Sequence, residues 1–254
     1  MLLTIDLGNT SIKLALWENG RQECFAVYDS KQDDYKTIIQ NFLYRHNLKE
    51  ELIEDTVVSS VVPKASEILK KDILSLTGKN AIFINPRENY GITIDTPNVD
   101  EVGSDLLVMC AYAYHVFHDE LLVVSLGTAS VISHVTKDGV FKHCIIAPGF
   151  GKVAGTLWDN AAKLPEFEIK RTESFLANTT IDAMNVGVYQ GFVGLLRYLL
   201  VGIRAELGTR PKVVACGGFG KQVVKDVREI EYYEADMVTV GLNYIYSRYI
   251  RTSD

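Results

Sequence analysis

The sequence contains no CxxC pair. Its four cysteines, Cys24, Cys110, Cys144 and Cys216, lie far apart, which fits neither a zinc knuckle nor a dithiol redox motif. Buried, reduced thiols are the expectation. Positive charge is also scarce: 26 Lys and Arg stand against 32 Asp and Glu, a formal charge of −6. No basic field is available to hold nucleic acid or an anionic membrane, so neither partner is expected. A basic leader with an apolar core is missing from the first residues, and no apolar stretch approaches the roughly 18 residues of a membrane span. The expected compartment is the cytoplasm. Histidines number only five. His115 and His118, with Asp119, close an amphipathic helix whose dipole favours them, so no metal site is expected. The phosphate signature GxxxxGK[ST] is absent as well.

What is present is a globular composition: 254 residues, 47% hydrophobic and 23% charged. The acid excess lies in one half, with 11 basic and 17 acidic residues before about residue 117 and 15 of each after it. Residues 2–7 form a strand, Gly8-Asn9-Thr10 a turn, 12–17 a second strand and 23–28 a third. A helix over 33–48, a strand over 56–62, a helix over 65–77 and a strand over 81–84 follow. The second half begins alike, with strands over 121–126, 130–136 and 140–146 joined by Gly-containing turns. Ile5 to Thr10 and Val124 to Ala129 align without a gap at an offset of 119 residues, which reads as an internal duplication. A Pro148-Gly149 turn, a helical stretch, a helix over 181–206, a strand over 212–216 and a closing helix over 237–250 complete the chain. No Pro/Gly/Ser-rich linker separates the halves.

Several clusters are candidates for chemistry, each with a plainer alternative. In Asp6-Leu7-Gly8-Asn9-Thr10 with Lys13, the glycine lets backbone amides approach phosphate oxygens, and Asp6 is placed to face magnesium through water. The alternative is an ordinary hairpin whose turn Asp6 caps. Asp105, after Gly103-Ser104, falls at the start of an apolar helix: it is either a helix cap or a carboxylate that deprotonates an acceptor hydroxyl. Gly127-Thr128-Ala129 duplicates the first turn. Asn178-Thr179-Thr180 precedes a helix with Gly187, Gly191 and Gly194, whose spacing favours a packed helix pair. Cys216-Gly217-Gly218 follows a strand and allows an adenine or ribose to approach backbone.

Together these motifs resemble the type III pantothenate kinases, of the superfamily of acetate and sugar kinases, heat-shock ATPases and actin. The likeness covers residues 2 to about 242. Asp6 to Lys13 resembles the family's first phosphate motif, Ser59 to Pro63 its S-V-V-P strand end, and Glu101 to Asp105 its E-V-G-A-D-R. Gly127 to Ala129, Ala147 to Gly149, Ala162 to Pro165, Thr180 with Gly187 and Gly191, and Gly217-Gly218 continue the series in order.

The resemblance implies an α/β fold of two actin-like (ribonuclease H-like) domains, 1–117 and 118–254, each a mixed five-stranded sheet with flanking helices. ATP and pantothenate would meet between them. The implied reaction is transfer of the ATP γ-phosphoryl group to the 4′-hydroxyl of pantothenate, the first step toward coenzyme A. Asp6, Gly8, Asn9, Thr10 and Lys13 would meet the ATP phosphates and Mg2+, and Thr128 would add an ATP contact. Asp105 would be the base, and Tyr90, Gly103, Ser104, Asp105, Leu106 and Thr180 would hold pantothenate. A homodimer and a monovalent cation, K+ or NH4+, are also implied.

The chain departs from the family at Leu106, where the family has Arg, and at Ser125, where it has the Asp that ligates the cation. The first removes a planar donor and the second weakens the cation site. Ser130 to Ser133 replace T-T-x-D, and His143-Cys144 replace Gly-Gly. These losses leave two alternatives to an active pantothenate kinase: a non-catalytic ligand-binding regulator or scaffold, and a kinase of the same fold for another hydroxylated substrate.

Overall fold

A computed structural model describes residues 1–31, 34–160 and 168–251. The chain forms two compact units: Met1–Val116 with the chain from Met237 on, and Phe117–Asp236. Ala162 to Pro165 lie outside the described residues.

In the first unit, β1 (Leu2–Leu7), β2 (Ser11–Glu18) and β3 (Arg21–Asp29) form the antiparallel meander expected from the alternating strands and Gly turns. The helix α1 (Tyr35–Arg45) leads to β4 (Asp55–Ser60), α2 (Pro63–Thr77) and a short β5 (Ile82–Phe83). Asp34 caps α1 by accepting the Thr37 amide, and Pro63 opens α2 where its missing N–H costs nothing. The sheet order is β3-β2-β1-β4-β5, with β1, β4 and β5 parallel.

Side-chain alternation divides the labour along β1. Leu3, Ile5 and Leu7 join Ile39 and Phe42 of α1 and Leu69 and Ile73 of α2 in one buried cluster. Thr4 and Asp6 belong to the opposite face, where Thr4 Oγ1 accepts a hydrogen bond from Trp17 Nε1 at 2.8 Å. A two-residue strand β6 (Thr93–Ile94) and α3 (Ser104–Phe117) complete the first pass through this unit.

The second unit repeats the plan with β7 (Leu121–Leu126), β8 (Ala129–Val135), β9 (Val140–Pro148), α4 (Phe150–Asn160), α5 (Thr180–Leu207), β10 (Lys212–Cys216), a turn of helix α6 (Gly220–Val223) and β11 (Tyr232–Glu234). Its strands run β11-β10-β7-β8-β9, with β7 antiparallel to β8 and parallel to β10. The place of β7 among these strands is that of β1 in the first sheet, so the aligned openings occupy equivalent central strands. The expected α/β architecture of two mixed sheets is therefore borne out.

Two expectations differ from what the chain does. The closing helix was expected to stay with the second half; instead α7 (Met237–Ile245), continued by a π-helical turn over Tyr246–Ile250, packs on β1, β4 and β2 of the first unit. Its hydrogen bond from Tyr246 Oη to Asp55 Oδ2, at 2.6 Å, spans 191 residues of sequence, a contact no local pattern reveals. The other concerns apolar length. Among the described residues one helix, α5, is long and apolar enough to cross a membrane by length and composition, with 33% of its most apolar stretch buried within the chain. Its glycines and single mid-helix charge, Arg197, disguise that length in the sequence. Met184, Val188, Tyr189, Phe192, Leu196 and Leu200 form its buried stripe.

The glycines of α5 also lie differently from expectation. A Cβ at Gly187, Gly191, Gly194 or Gly202 would meet nothing within 4 Å among the described residues, so they mark no packed helix pair inside the chain. Gly241 of α7 does what they do not. A Cβ there would lie 2.6 Å from Val108 Cγ1 and 3.0 Å from the Val108 carbonyl oxygen. Gly241→Ala is expected to destabilise the fold by about 1–3 kcal/mol through overpacking. Gly202→Ala, in an open helical position, is expected to stabilise it by about 0.5–1 kcal/mol. Denaturant unfolding of the two variants checks the contrast.

Candidate active site

The chemistry of the first unit gathers at the end of β1. Asp6 and Lys13 are direct cross-strand partners, so the register itself brings carboxylate and ammonium together. Lys13 Nζ lies 2.8 Å from Asp6 Oδ2, with side chains 24% and 12% exposed. Breaking such a shielded pair leaves an uncompensated charge, a loss of about 3–5 kcal/mol for a fully buried one. Immediately beyond, the Gly8 amide donates to the Ser11 carbonyl at 3.0 Å and closes the hairpin. Asn9 and Thr10 are exposed at its tip.

Asp105 enters the same neighbourhood as the second residue of α3. Its Oδ1 accepts the Leu106 amide at 2.8 Å, one of the amides that a helix start leaves without an intrahelical partner. Gly103 leaves room beside it: a Cβ there would meet Asp105 Oδ1, displacing the carboxylate, and crowd Val61. Burial raises the proton affinity of Asp105, and the nearby Asp6 carboxylate raises it further, while the Leu106 amide and Lys13 pull the other way. A carboxylate with raised proton affinity, anchored by backbone, is suited to accept a proton from a hydroxyl.

In the second unit the duplicated turn is held by glycines that sequence reasoning valued only loosely. A Cβ on Gly149 would strike the carbonyls of Gly127 and Thr128, and one on Gly217 the Leu126 carbonyl. Gly217 also has φ +98°, a left-handed conformation that excludes most side chains. Thr128 sits exposed on this turn. Thr180 is the exposed first residue of α5, behind Thr179, which caps the helix by accepting the Asp182 amide at 3.1 Å.

Tyr90 takes a different setting. It is 3% exposed, and its hydroxyl donates to Glu88 Oε2 at 2.7 Å, within its own loop. Beside that loop lies a cavity of about 240 Å³ lined by Arg87, Glu88, Ile92, Thr93 and Val99, which no motif in the sequence marks. The structure thus brings Asp6, Lys13, Gly103 and Asp105 together in one unit and Thr128, Gly149 and Gly217 in the other. Tyr90 lies in the loop between β5 and β6, and Thr180 opens α5.

Comparison with known proteins fits these motifs to a family. The family model described as type III pantothenate kinase matches residues 2–201. A type III pantothenate kinase from Agathobacter rectalis is 30% identical over 253 residues, covering 98% of this chain and 97% of that protein. The chain belongs to the type III pantothenate kinase family. One from Bifidobacterium adolescentis is 29% identical, covering 99% of this chain and all of the relative. A solved structure, the activator of 2-hydroxyisocaproyl-CoA dehydratase from Clostridium difficile with bound ADPNP, superposes with a TM-score of 0.61. It is 12% identical and covers 99% of this chain and 96% of that one, a likeness of fold alone. As a type III pantothenate kinase, the protein is a phosphotransferase for ATP-dependent phosphorylation of pantothenate in coenzyme A biosynthesis.

The environment of Asp105 has a stability consequence. Its proton affinity is higher in the folded than in the unfolded chain, so its contribution to stability is present below the unfolded value and lost as pH rises through the folded one. Asp105→Asn keeps an oxygen for the Leu106 amide and removes the partly desolvated charge. The expected outcome is a higher Tm than the parent at pH 7–8 and a difference that vanishes in acid. Thermal unfolding across pH checks it.

Proposed function

We propose that Asp105 is the base that takes the proton of the pantothenate 4′-hydroxyl as the ATP γ-phosphoryl group is transferred. The observation that carries this reading is the partly buried Asp105 carboxylate, tied by its Oδ1 to the helix amide of Leu106 and raised in proton affinity beside Asp6. Phosphoryl transfer depends mainly on positioning and charge stabilisation, so a fixed carboxylate suits the acceptor side. The exposed turn of Gly8, Asn9 and Thr10, with Asp6 and Lys13 behind it, would hold ATP phosphates. Thr128 would add a contact from the second phosphate turn. Pantothenate would lie against Gly103, Asp105, Leu106 and the main chain of Ser104, with Tyr90 and Thr180 contributing.

Magnesium fits the residues present. It binds through one or two carboxylates while keeping several waters, and Asp6 and Asp105 interact as like charges opposed by Lys13. Asp6 would hold it, leaving Asp105 free to act as the base, and it would supply charge neutralisation for the phosphate oxygens. The monovalent cation would have a weakened site. Ser125 offers a neutral hydroxyl where the family has a carboxylate, and its register partners Val131 and Cys216 add no oxygen side chain. Turnover that depends only weakly on K+ follows from that donor set.

A homodimer is part of this proposal, and the outer face of α5 supports it. Ile181 is 50% exposed, Tyr198 81% and Val201 55%, beside glycines with open space over them. Covering such an apolar face removes it from water. The two units would be the working halves of the enzyme, and the cytoplasm its compartment, in keeping with a metabolic kinase.

Coupled turnover with ATP, magnesium and pantothenate, with and without K+, tests the reading. Turnover that K+ changes by less than about twofold is expected, with a rate that falls on the acid side as Asp105 becomes protonated. Asp105→Asn is expected to lower kcat by about 10²-fold or more and to abolish that acid limb. The absence of Arg at Leu106 favours one second reading, ligand binding without catalysis. Calorimetric binding of pantothenate with no turnover at high enzyme concentration would establish that alternative.

A further inference from the structure

The serine hydroxyls where β4 ends are arranged around the start of α3. Ser59 is fully buried and lies beside Asp6 in the parallel register of β1 and β4. Its Oγ is 2.9 Å from Oγ of Ser104, the residue that opens α3 and precedes Asp105. Ser104 Oγ accepts the Ser60 amide at 3.0 Å and donates to the Ser60 carbonyl at 3.1 Å. A hydroxyl has one proton to give, so with Ser104 donating to Ser60, the Ser59 hydroxyl is the donor between the two serines. Ser60 Oγ is itself within 2.7 Å of Ser66 Oγ and accepts the Val62 amide at 3.2 Å, which fastens the strand end to the start of α2.

Ser104 is only 6% exposed, and its hydroxyl is spent on the interior. Its neighbour in sequence is Asp105, while Ser59's neighbour across the sheet is Asp6. We propose that the Ser59–Ser104 hydroxyl pair is a positioning device that fixes the Asp105 carboxylate relative to Asp6, so that Ser104 acts on the reaction through Asp105 rather than by touching substrate. Burial shields these hydrogen bonds from water, and losing one partner strands the other polar group. The family motif has Ala where this chain has Ser104 and Arg where it has Leu106. This chain therefore lacks the planar donor after its carboxylate and has an interior anchor before it.

The proposal rests on Asp105 being the base, and the experiment separates the two claims. Ser104→Ala, Ser59→Ala, the double variant and Asp105→Asn are compared by kcat, by KM for ATP and pantothenate, and by the pH dependence of turnover. Ser104→Ala is expected to lower kcat about 10-fold or more while KM for ATP stays within about twofold, since misplacing a catalytic group affects the chemical step. The acid limb moves to lower pH as Asp105 separates from Asp6 and meets Lys13 and water instead. Ser59→Ala shifts both quantities in the same direction, and the double variant is no worse than Ser104→Ala, the signature of one shared interaction. If Ser104→Ala does not fold, Ser59→Ala carries the test, because it leaves the bonds between Ser104 and Ser60 in place. Unchanged kcat and an unmoved acid limb in the folded serine variants, with or without a lowered Tm, overturn the proposal. Full activity in Asp105→Asn overturns the base assignment instead.

Discussion

Two carboxylates and one ammonium meet at the end of β1, and the arrangement of the first unit follows from accommodating them. Asp6 faces away from the apolar cluster of Leu3, Ile5 and Leu7 and finds Lys13 directly across the hairpin. Asp105 arrives from a helix start, where a backbone amide receives it, and Gly103 leaves room for its side chain. Like charges placed near one another and shielded from water resist ionising together. The fold thus holds a carboxylate in a state that favours taking up a proton, at a cost the ordinary core offsets.

The second unit reaches its turn by other means. Its central strand β7 has the same neighbours in order as β1, yet the Asp6 equivalent is Ser125 and no Lys stands opposite. Backbone packing takes over where charge is missing: Gly149 and Gly217 press their Cα atoms against the carbonyls of residues 126 to 128. Duplication therefore preserved the topology while the chemistry of the two turns diverged. Charge organises one turn and close glycine contact the other.

Much of this was legible in the amino-acid sequence. The strands Leu2–Leu7, Leu121–Leu126 and Lys212–Cys216 follow from short apolar runs bounded by turn residues, and their ends match the expectation. Asp105 at a helix start was legible from Gly103-Ser104 ahead of an apolar run. What stayed hidden depends on contacts remote in sequence. α7 packs on the first sheet and also sets Gly241 against Val108 of α3, and a glycine within a helical run announces no partner. Tyr90 turning its hydroxyl to Glu88, and Ser59 meeting Ser104, depend on side-chain directions that only the folded backbone sets. The apolar length of α5 is masked in the sequence by its glycines and by Arg197 in mid-helix.

The central claim is that Asp6 raises the proton affinity of Asp105, beyond what burial does alone. Carbon-13 NMR titration of the Asp105 side-chain carboxyl in the parent and in Asp6→Asn measures it directly. The account predicts that Asp105 titrates above the usual carboxylate range in the parent and moves down in Asp6→Asn, where a negative charge is gone and Lys13 is released from its partner. An Asp105 titration identical in the two proteins would contradict it.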